Sequence, residues 1–278
     1  MLGAIIGDIA GSRFEFRNIK DKNFELFNDY CDYTDDSVLT FAVAKTLLDV
    51  GRGRSAGEIF DTAVKNLLFY GRKYPAPMGN YGGGFKRWLK SEIQKPYNSC
   101  GNGAGMRISP VGFFAKTEEE LKIYSRAITE TTHNHPQGVK GAEAVAMSVF
   151  LAKNGATKDE IKNRIAKDYY PELTTEKCSY EYLQRNYSWY YNGNGGLAQN
   201  STPQAIACFL FSENFEDAIK TAISIGGDSD TIAAMTGGIA QAYYGINADL
   251  LSRATWFLPK EFQAILIEFT QKYMRPEK

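Results

Sequence analysis

Residues 224–238 read SIGGDSDTIAAMTGG, a glycine pair followed by two aspartates and a threonine. Apolar residues with the spacing typical of helices stand on both sides of this stretch. Gly226 and Gly227 permit backbone conformations that other residues resist, so the chain can turn sharply there. The stretch therefore predicts two helices joined by a tight turn, with Asp228 and Asp230 at the start of the second helix.

The same helical spacing recurs outward from this stretch. It predicts helices over residues 2–9, 59–68, 139–150 and 260–273. Alternating patterns with hairpin signals, which would predict strands, are absent from the sequence. We therefore expect an all-α fold, and a single domain over residues 1–278 because no repeat or low-complexity linker divides the chain.

Several polar residues predict where helices start. Thr117 with Glu120, and Thr157 with Glu160, have the spacing of capping boxes. The pair at residues 202–203, Thr-Pro, predicts an N-cap followed by proline at the first helical position.

Composition excludes several classes of protein. Lys plus Arg and Asp plus Glu both number 32, so no basic surplus indicates a nucleic-acid partner. The four cysteines form no CxxC pair, which argues against a zinc framework and for reduced thiols. The apolar N-terminus is interrupted by Asp8, and no run approaches the ~18 apolar residues of a membrane span. We expect a cytoplasmic protein without a membrane partner, a monomer or weak oligomer.

A second aspartate pair lies in YTDDSVLTFAVA, residues 33–44, also at a predicted helix start. Helix capping explains one aspartate there, but a second adjacent one gains little and adds repulsion. Two interpretations follow: two ordinary caps, or two halves of one site. Brought together, the two stretches supply an all-oxygen set: Thr34, Asp35, Asp36, Asp228, Asp230 and Thr231.

Such a set suits hard cations, because Mg²⁺ and Mn²⁺ prefer carboxylate, hydroxyl and water oxygens whereas zinc prefers histidine and cysteine. The chain has two histidines, which nearly excludes a histidine-built site. Two ions ~3.5–4 Å apart can act together on one substrate oxygen. No GxxxxGK[ST] motif occurs, and the EF-hand pattern lacks its closing glutamate.

Three other stretches have a plain and a functional interpretation each. Residues 99–114, SCGNGAGMRISPVGFF, form a turn leading into a helix over residues 106–114, or a glycine loop whose N–H groups cradle phosphate. Residues 131–138, TTHNHPQG, hold both histidines on a surface loop or at a site. The tyrosine-rich residues 168–200 pack their aromatic side chains over the bundle, or form an aromatic wall for a nucleotide ring.

Glu15 follows the glycine-serine end of the first predicted helix, between Phe14 and Phe16. A glutamate at a helix exit is usually solvated. One held among aromatic side chains can instead act as a base in a site.

Together these residues resemble the ADP-ribosylglycohydrolase family. The resemblance covers most of the chain in order: GAIIGDIAGSRFEF, YTDDSV, YGGGFKRWL, GNGAGMR, THNHP and FEDAIKTAISIGGDSDTIAAMTGGIAQAYYG. It implies an orthogonal multi-helix bundle and two bound Mg²⁺ or Mn²⁺ ions. It also implies hydrolysis of the N- or O-glycosidic bond between ADP-ribose and a modified protein side chain.

The resemblance also implies roles for individual residues. The metal ligands would be the six residues of the two aspartate stretches. Glu15 would act as a base or a gate, and Asp35, Asp36 and Asp228 would be catalytic. The substrate-binding residues would be Ser99, Gly101, Asn102, Gly103, Met106 and His133, with Tyr81 and Gly83 from a further glycine loop. Cys100 departs from the aromatic side chain that some members carry.

Three alternatives remain open on sequence grounds. The chain can hydrolyse another ADP-ribose conjugate or a nucleotide sugar, since a metal site fixes the ribose rather than the leaving group. It can be an ADP-ribose-binding module without turnover. It can also be an immunity-type protein that blocks a transferase by contact, which calls for a large exposed apolar patch.

Overall fold

The computed structural model describes residues 1–274. Within them the chain forms fourteen α-helices, short 3₁₀ turns, one π-helical turn at Thr270–Met274 and no strand longer than an isolated bridge. The all-α prediction is confirmed. The helices are α1 Leu2–Ser12, α2 Asp35–Val50, α3 Ala56–Lys73, α4 Gly83–Lys90, α5 Ser109–Phe114, α6 Glu118–Thr129, α7 Pro136–Lys153, α8 Lys158–Asp168, α9 Tyr180–Asn186, α10 Ala198–Phe211, α11 Phe215–Ser224, α12 Ser229–Tyr244, α13 Ala248–Trp256 and α14 Lys260–Phe269.

Helix α12 lies at the centre of the bundle, against α1, α7, α10 and α11. The closest of these contacts is with α1, which has a glycine at every fourth position, Gly3, Gly7 and Gly11. A Cβ on Gly7 would lie 2.0 Å from the carbonyl oxygen of Ala233, and one on Gly11 would lie 2.5 Å from the Cα of Asp230. The two backbones therefore touch, which brings the end of α1 to the first turn of α12.

The capping predictions have mixed outcomes. The box of Thr157 and Glu160 opens α8 as predicted. Thr117 accepts from the backbone N–H of Glu120, but the Glu120 carboxylate turns to the N–H of Lys116 and to Arg52 instead of completing the box.

The helix start predicted at Thr202 is wrong. Helix α10 begins at Ala198, so Pro203 lies in its second turn. The start is set by contacts distant in sequence: the N–H of Ala198 donates to the carbonyl of Cys100 (2.9 Å), and Asn200 Nδ2 donates to the carbonyl of Asn194 (2.8 Å). The helix expected from Met106 likewise begins later, at Ser109, because residues 102–104 form a 3₁₀ turn.

The tyrosine-rich stretch runs over the bundle as short turns around α9. Tyr170 and Tyr187 are fully buried against the helices, as the packing interpretation predicts. Trp189 instead lines the cavity described below. No helix within residues 1–274 has both the length and the apolar character of a membrane span.

Candidate active site

The first half of the site is the start of α2, which is held by the buried carboxylate of Asp8. Thr34 is the N-cap of α2, and its hydroxyl accepts from the N–H of Asp36 (3.1 Å) and donates to Asp8 Oδ1 (2.6 Å). The N–H groups of Thr34 and Ser37 both donate to Asp8 Oδ2 at 3.0 Å. The Ser37 hydroxyl also donates to Asp8 Oδ2. These bonds fix the direction in which Asp35 and Asp36 project.

Asp8 was not among the predicted site residues. Burial raises its pKa to about 6, although four hydrogen bonds from Thr34 and Ser37 oppose that rise. A signal for it exists in the sequence: it is the one ionisable residue of the fully buried helix LGAIIGDIAGS, and a buried carboxylate requires partners.

The second half is the turn before α12, which is held by backbone geometry. Gly226 and Gly227 have φ of +74° and +78°, the left-handed conformation that favours glycine. A Cβ on Gly227 would lie 2.3 Å from the ring of Tyr187. The Asn18 amide closes the turn, accepting from the N–H of Gly227 (2.8 Å) and donating to its carbonyl (2.9 Å). Asp228 follows and accepts from Asn102 Nδ2 (2.7 Å).

The two halves meet. The Thr231 hydroxyl of α12 donates to Asp36 Oδ2 of α2 at 3.2 Å. Carboxylate oxygens of Asp8, Asp36 and Asp230 lie within 4.8 Å of one another, and so do those of Glu15, Asp228 and Asp230. Asp230 therefore belongs to two adjoining groups of carboxylates.

No cationic side chain within the described residues pairs directly with the cluster, and Arg107 acts on Asp35 only at a distance. The carboxylates of the cluster form no ion pair with any lysine or arginine within residues 1–274. Burial first, and neighbouring carboxylates second, raise the pKa values of Asp35, Asp36 and Asp230 well above the usual range. Burial also raises the pKa of Asp228, and burial with Asp228 and Asp8 raises that of Glu15 to about 8.

These residues fit a hard cation. The buried oxygens Asp36 Oδ1 and Asp230 Oδ1 have no hydrogen-bond partner. Unpartnered carboxylate oxygens in a buried acidic cluster are the donor set that Mg²⁺, Mn²⁺ or Ca²⁺ binds. Asp8 fits less well as a ligand, because both its oxygens already accept hydrogen bonds from α2.

The carboxylates face a cavity of about 340 Å³, within the size range of small-molecule sites. Thirteen predicted site residues line it: Glu15, Asp35, Asp36, Tyr81, Ser99, Gly101, Asn102, Gly103, Met106, His133, Asp228, Asp230 and Thr231. Thr34 does not line the cavity, and its hydroxyl donates to Asp8 instead. Gly83 is outside the lining, where its neighbours Gly82 and Gly84 stand instead.

The cavity also has walls that the sequence prediction missed: Gly79, Asn80, Phe85, Tyr97 and Trp189. The aromatic-wall interpretation of residues 168–200 pointed to the segment that supplies Trp189, although not to this side chain. Trp189 Nε1 donates to the carbonyl of Glu15 at 3.0 Å, so this wall also holds the backbone at Glu15.

The glycine loop and His133 also line the cavity. The N–H of Asn102 donates to the carbonyl of Gly196 (3.0 Å), which joins the loop to the start of α10. His133 is 5% exposed, and burial, with the charge of Arg107 second, lowers its pKa to about 3. The imidazole is therefore neutral at physiological pH.

A model of the ADP-ribosylglycohydrolase family matches residues 1–260. The chain is 28% identical over 267 residues to ADP-ribosylhydrolase ARH3 of Mus musculus, covering 77% of this chain and 70% of that protein. It is 26% identical over 316 residues to ADP-ribosylhydrolase ARH3 of Homo sapiens, covering 89% and 85%. It is 25% identical over 268 residues to ADP-ribosylarginine hydrolase Tri1 of Pseudomonas putida (strain GB-1), covering 89% and 70%.

A solved structure described as an ADP-ribosylglycohydrolase-related protein complex has the same fold. It superposes with a TM-score of 0.69 over 98% of this chain and 96% of that one, at 21% identity.

Proposed function

The chain belongs to the ADP-ribosylglycohydrolase family, and from that premise we propose that it is a metal-dependent hydrolase. It would cleave the N- or O-glycosidic bond between ADP-ribose and a modified protein side chain. One observation carries the proposal: two aspartate pairs from distant helix starts line one cavity of about 340 Å³, with buried carboxylate oxygens left unpartnered.

Two Mg²⁺ or Mn²⁺ ions are the cofactor we propose. Their ligands would come from Thr34, Asp35, Asp36, Asp228, Asp230 and Thr231. When bound, the ions would supply Lewis-acid activation of oxygen. Asp8 would hold the α2 ligands in place, and Asn102 would orient Asp228 through its hydrogen bond of 2.7 Å.

The remaining lining residues suit the other parts of an ADP-ribose conjugate. The glycine loop of residues 101–103 would bind the diphosphate through backbone N–H groups such as that of Gly103. The rings of Tyr97 and Trp189 offer surfaces on which a base can stack. In the reaction, water attacks the anomeric carbon while the bond to the side chain breaks. Glu15, which lies beside Asp228 and Asp230, would take or deliver the proton.

The test is release of free ADP-ribose from peptides carrying ADP-ribosyl-arginine or ADP-ribosyl-serine, each with Mg²⁺ or with EDTA. We expect release with Mg²⁺ from one peptide, and none from Asp36→Asn or Asp230→Asn. Asp32→Asn is the matched control, because Asp32 is an exposed aspartate immediately before the stretch of residues 33–44.

Each other outcome excludes part of the proposal. Release unaffected by EDTA would exclude the metal while keeping the hydrolase. Tight ADP-ribose binding without release from either peptide would favour a binding module or a different conjugate.

A further inference from the structure

Arg107 lies completely buried behind the cavity, which is unusual for a charged group. Its side chain is 1% exposed, its Nε has no hydrogen-bond partner, and within residues 1–274 it forms no ion pair. Its Nη2 donates one hydrogen bond, to Thr132 Oγ1 at 2.7 Å. Buried guanidinium groups are normally paired with carboxylates. The contact that Arg107 makes with Thr132 therefore requires an explanation.

Thr132 joins Arg107 to His133. Its hydroxyl oxygen lies 2.7 Å from His133 Nδ1, and the three groups form a buried chain. A guanidinium can only donate, so Thr132 Oγ1 accepts from Arg107 and keeps its own proton for His133. This assigns Nδ1 as an acceptor and places the ring proton on Nε2.

The opposite assignment leaves the chain unsatisfied. If Nδ1 carried the proton, Thr132 Oγ1 would accept twice, and its own buried proton would have no other acceptor within the described residues. A doubly protonated ring would also leave the Thr132 hydroxyl proton without an acceptor, and its positive charge would be repelled by Arg107.

The free nitrogen faces the glycine loop. A Cβ on Gly103 would lie 3.3 Å from His133 Nε2, and one on Gly101 would lie 3.9 Å from it. The ring lines the cavity, and Nε2 forms no hydrogen bond with the described residues. The ring is held from behind by α7, where a Cβ on Gly138 would lie 3.2 Å from the Cβ of His133.

We propose that Arg107 and Thr132 are positioning residues that hold His133 as the neutral Nε2–H tautomer. The imidazole thereby presents a fixed hydrogen-bond donor beside the glycine loop, suited to an anionic oxygen such as that of a diphosphate. The identity of this ligand rests on the proposed function, but the tautomer does not.

The first test is a long-range proton–nitrogen NMR spectrum of protein labelled with ¹⁵N-histidine. The chain has two histidines, so the spectrum contains two imidazoles, and His135 serves as an internal reference. We expect His133 to show a protonated Nε2 and a hydrogen-bonded, unprotonated Nδ1. Thr132→Val should move the Nδ1 signal of His133 and leave that of His135 in place, and Thr132→Ser should restore it.

The second test is calorimetric titration of the same variants with ADP-ribose in the presence of Mg²⁺. Thr132→Val should weaken binding about tenfold, the effect of losing a hydrogen bond to a charged group, while Thr132→Ser binds as the native protein does. Thr131→Val is the matched control, since the buried Thr131 hydroxyl bonds the carbonyl of Ile128 instead.

A native His133 spectrum with the proton on Nδ1, or one that Thr132→Val does not change, would overturn the proposal. So would equal ADP-ribose affinity in Thr132→Val and the native protein. Failure of the native protein to bind ADP-ribose, with the Nε2–H signal present, would instead remove the proposed function and keep the tautomer.

Discussion

The starts of α2 and α12 each present two aspartates to the cavity, yet they are held by different means. At α2 the backbone is fixed by side-chain hydrogen bonds that converge on the Asp8 carboxylate. At α12 it is fixed by two glycines with positive φ and by the amide of Asn18. The α2 half therefore depends on which polar atoms are present, whereas the α12 half depends on the absence of a Cβ.

The largest expected effect comes from removing one aspartate from each half. Asp35→Ala and Asp228→Ala should each lower ADP-ribose release by ~10³-fold or more, while circular dichroism shows a folded protein. If the halves form one site, the double variant should be little worse than either single one. Wild-type turnover of both single variants at saturating Mg²⁺ would show that the aspartates are caps and nothing more.

The next largest effect should come from Gly227→Ala in the α12 half. The added Cβ would lie 2.3 Å from the buried Tyr187 ring, at a φ of +78°. We expect a loss of ~2–5 kcal/mol in the free energy of unfolding, measured with urea.

Gly53→Ala separates the two causes of that loss, because Gly53 has φ of +70° and nothing within 4 Å of its would-be Cβ. It should cost ~1–2 kcal/mol from the backbone conformation alone. Equal losses for the two variants would show that the contact with Tyr187 is unimportant.

In the α2 half, Asp8→Asn should act on metal affinity more than on stability. The variant keeps the shape of the side chain but weakens the hydrogen bonds that orient Thr34 and Ser37, and loss of such support typically costs ~10–100-fold in metal affinity. Titration with Mg²⁺ should show this loss, and activity should return at high Mg²⁺. Activity that stays absent at any Mg²⁺ concentration would indicate that Asp8 is itself a ligand.

The smallest effect concerns His133, a neutral part of the site beside the two acidic halves. Its folded pKa of about 3 lies below the value of ~6.5 in the unfolded chain. Between these two pKa values His133 is protonated in the unfolded chain and neutral in the folded protein. The free energy of unfolding therefore decreases as the pH falls from ~6.5 towards the folded pKa.

His133→Gln should remove that loss. Between pH 7 and pH 5.5 the native protein should lose ~1 kcal/mol more than the variant, as measured by urea unfolding at each pH. The carboxylates are common to both proteins and cancel in the difference. Identical pH profiles would place His133 in contact with water.

The aspartate stretches and most of the lining could be predicted from sequence because local signals mark them: glycine pairs, helix starts and their spacing. The isolated carboxylate of Asp8 in an apolar helix is a local signal of a buried polar role, but which residues it holds depends on the face of α1 that meets α2, and the local sequence does not encode that contact. The start of α10 was misplaced for a similar reason. Thr202-Pro203 resembles a cap, but a bond from Ala198 to the distant Cys100 decides where the helix begins.

The glycine contact between α1 and α12 bears on how the molecule is made. The N–H of Gly3 bonds Gln241 Oε1, 238 positions later, so α1 leaves the ribosome long before its partner exists. Contacts of such long range slow folding, because a large loop must close before they form. A nascent chain interrupted before Asp228 would lack Asp228, Asp230 and the helix that covers α1. Formation of the proposed metal site is thus linked to synthesis of α12.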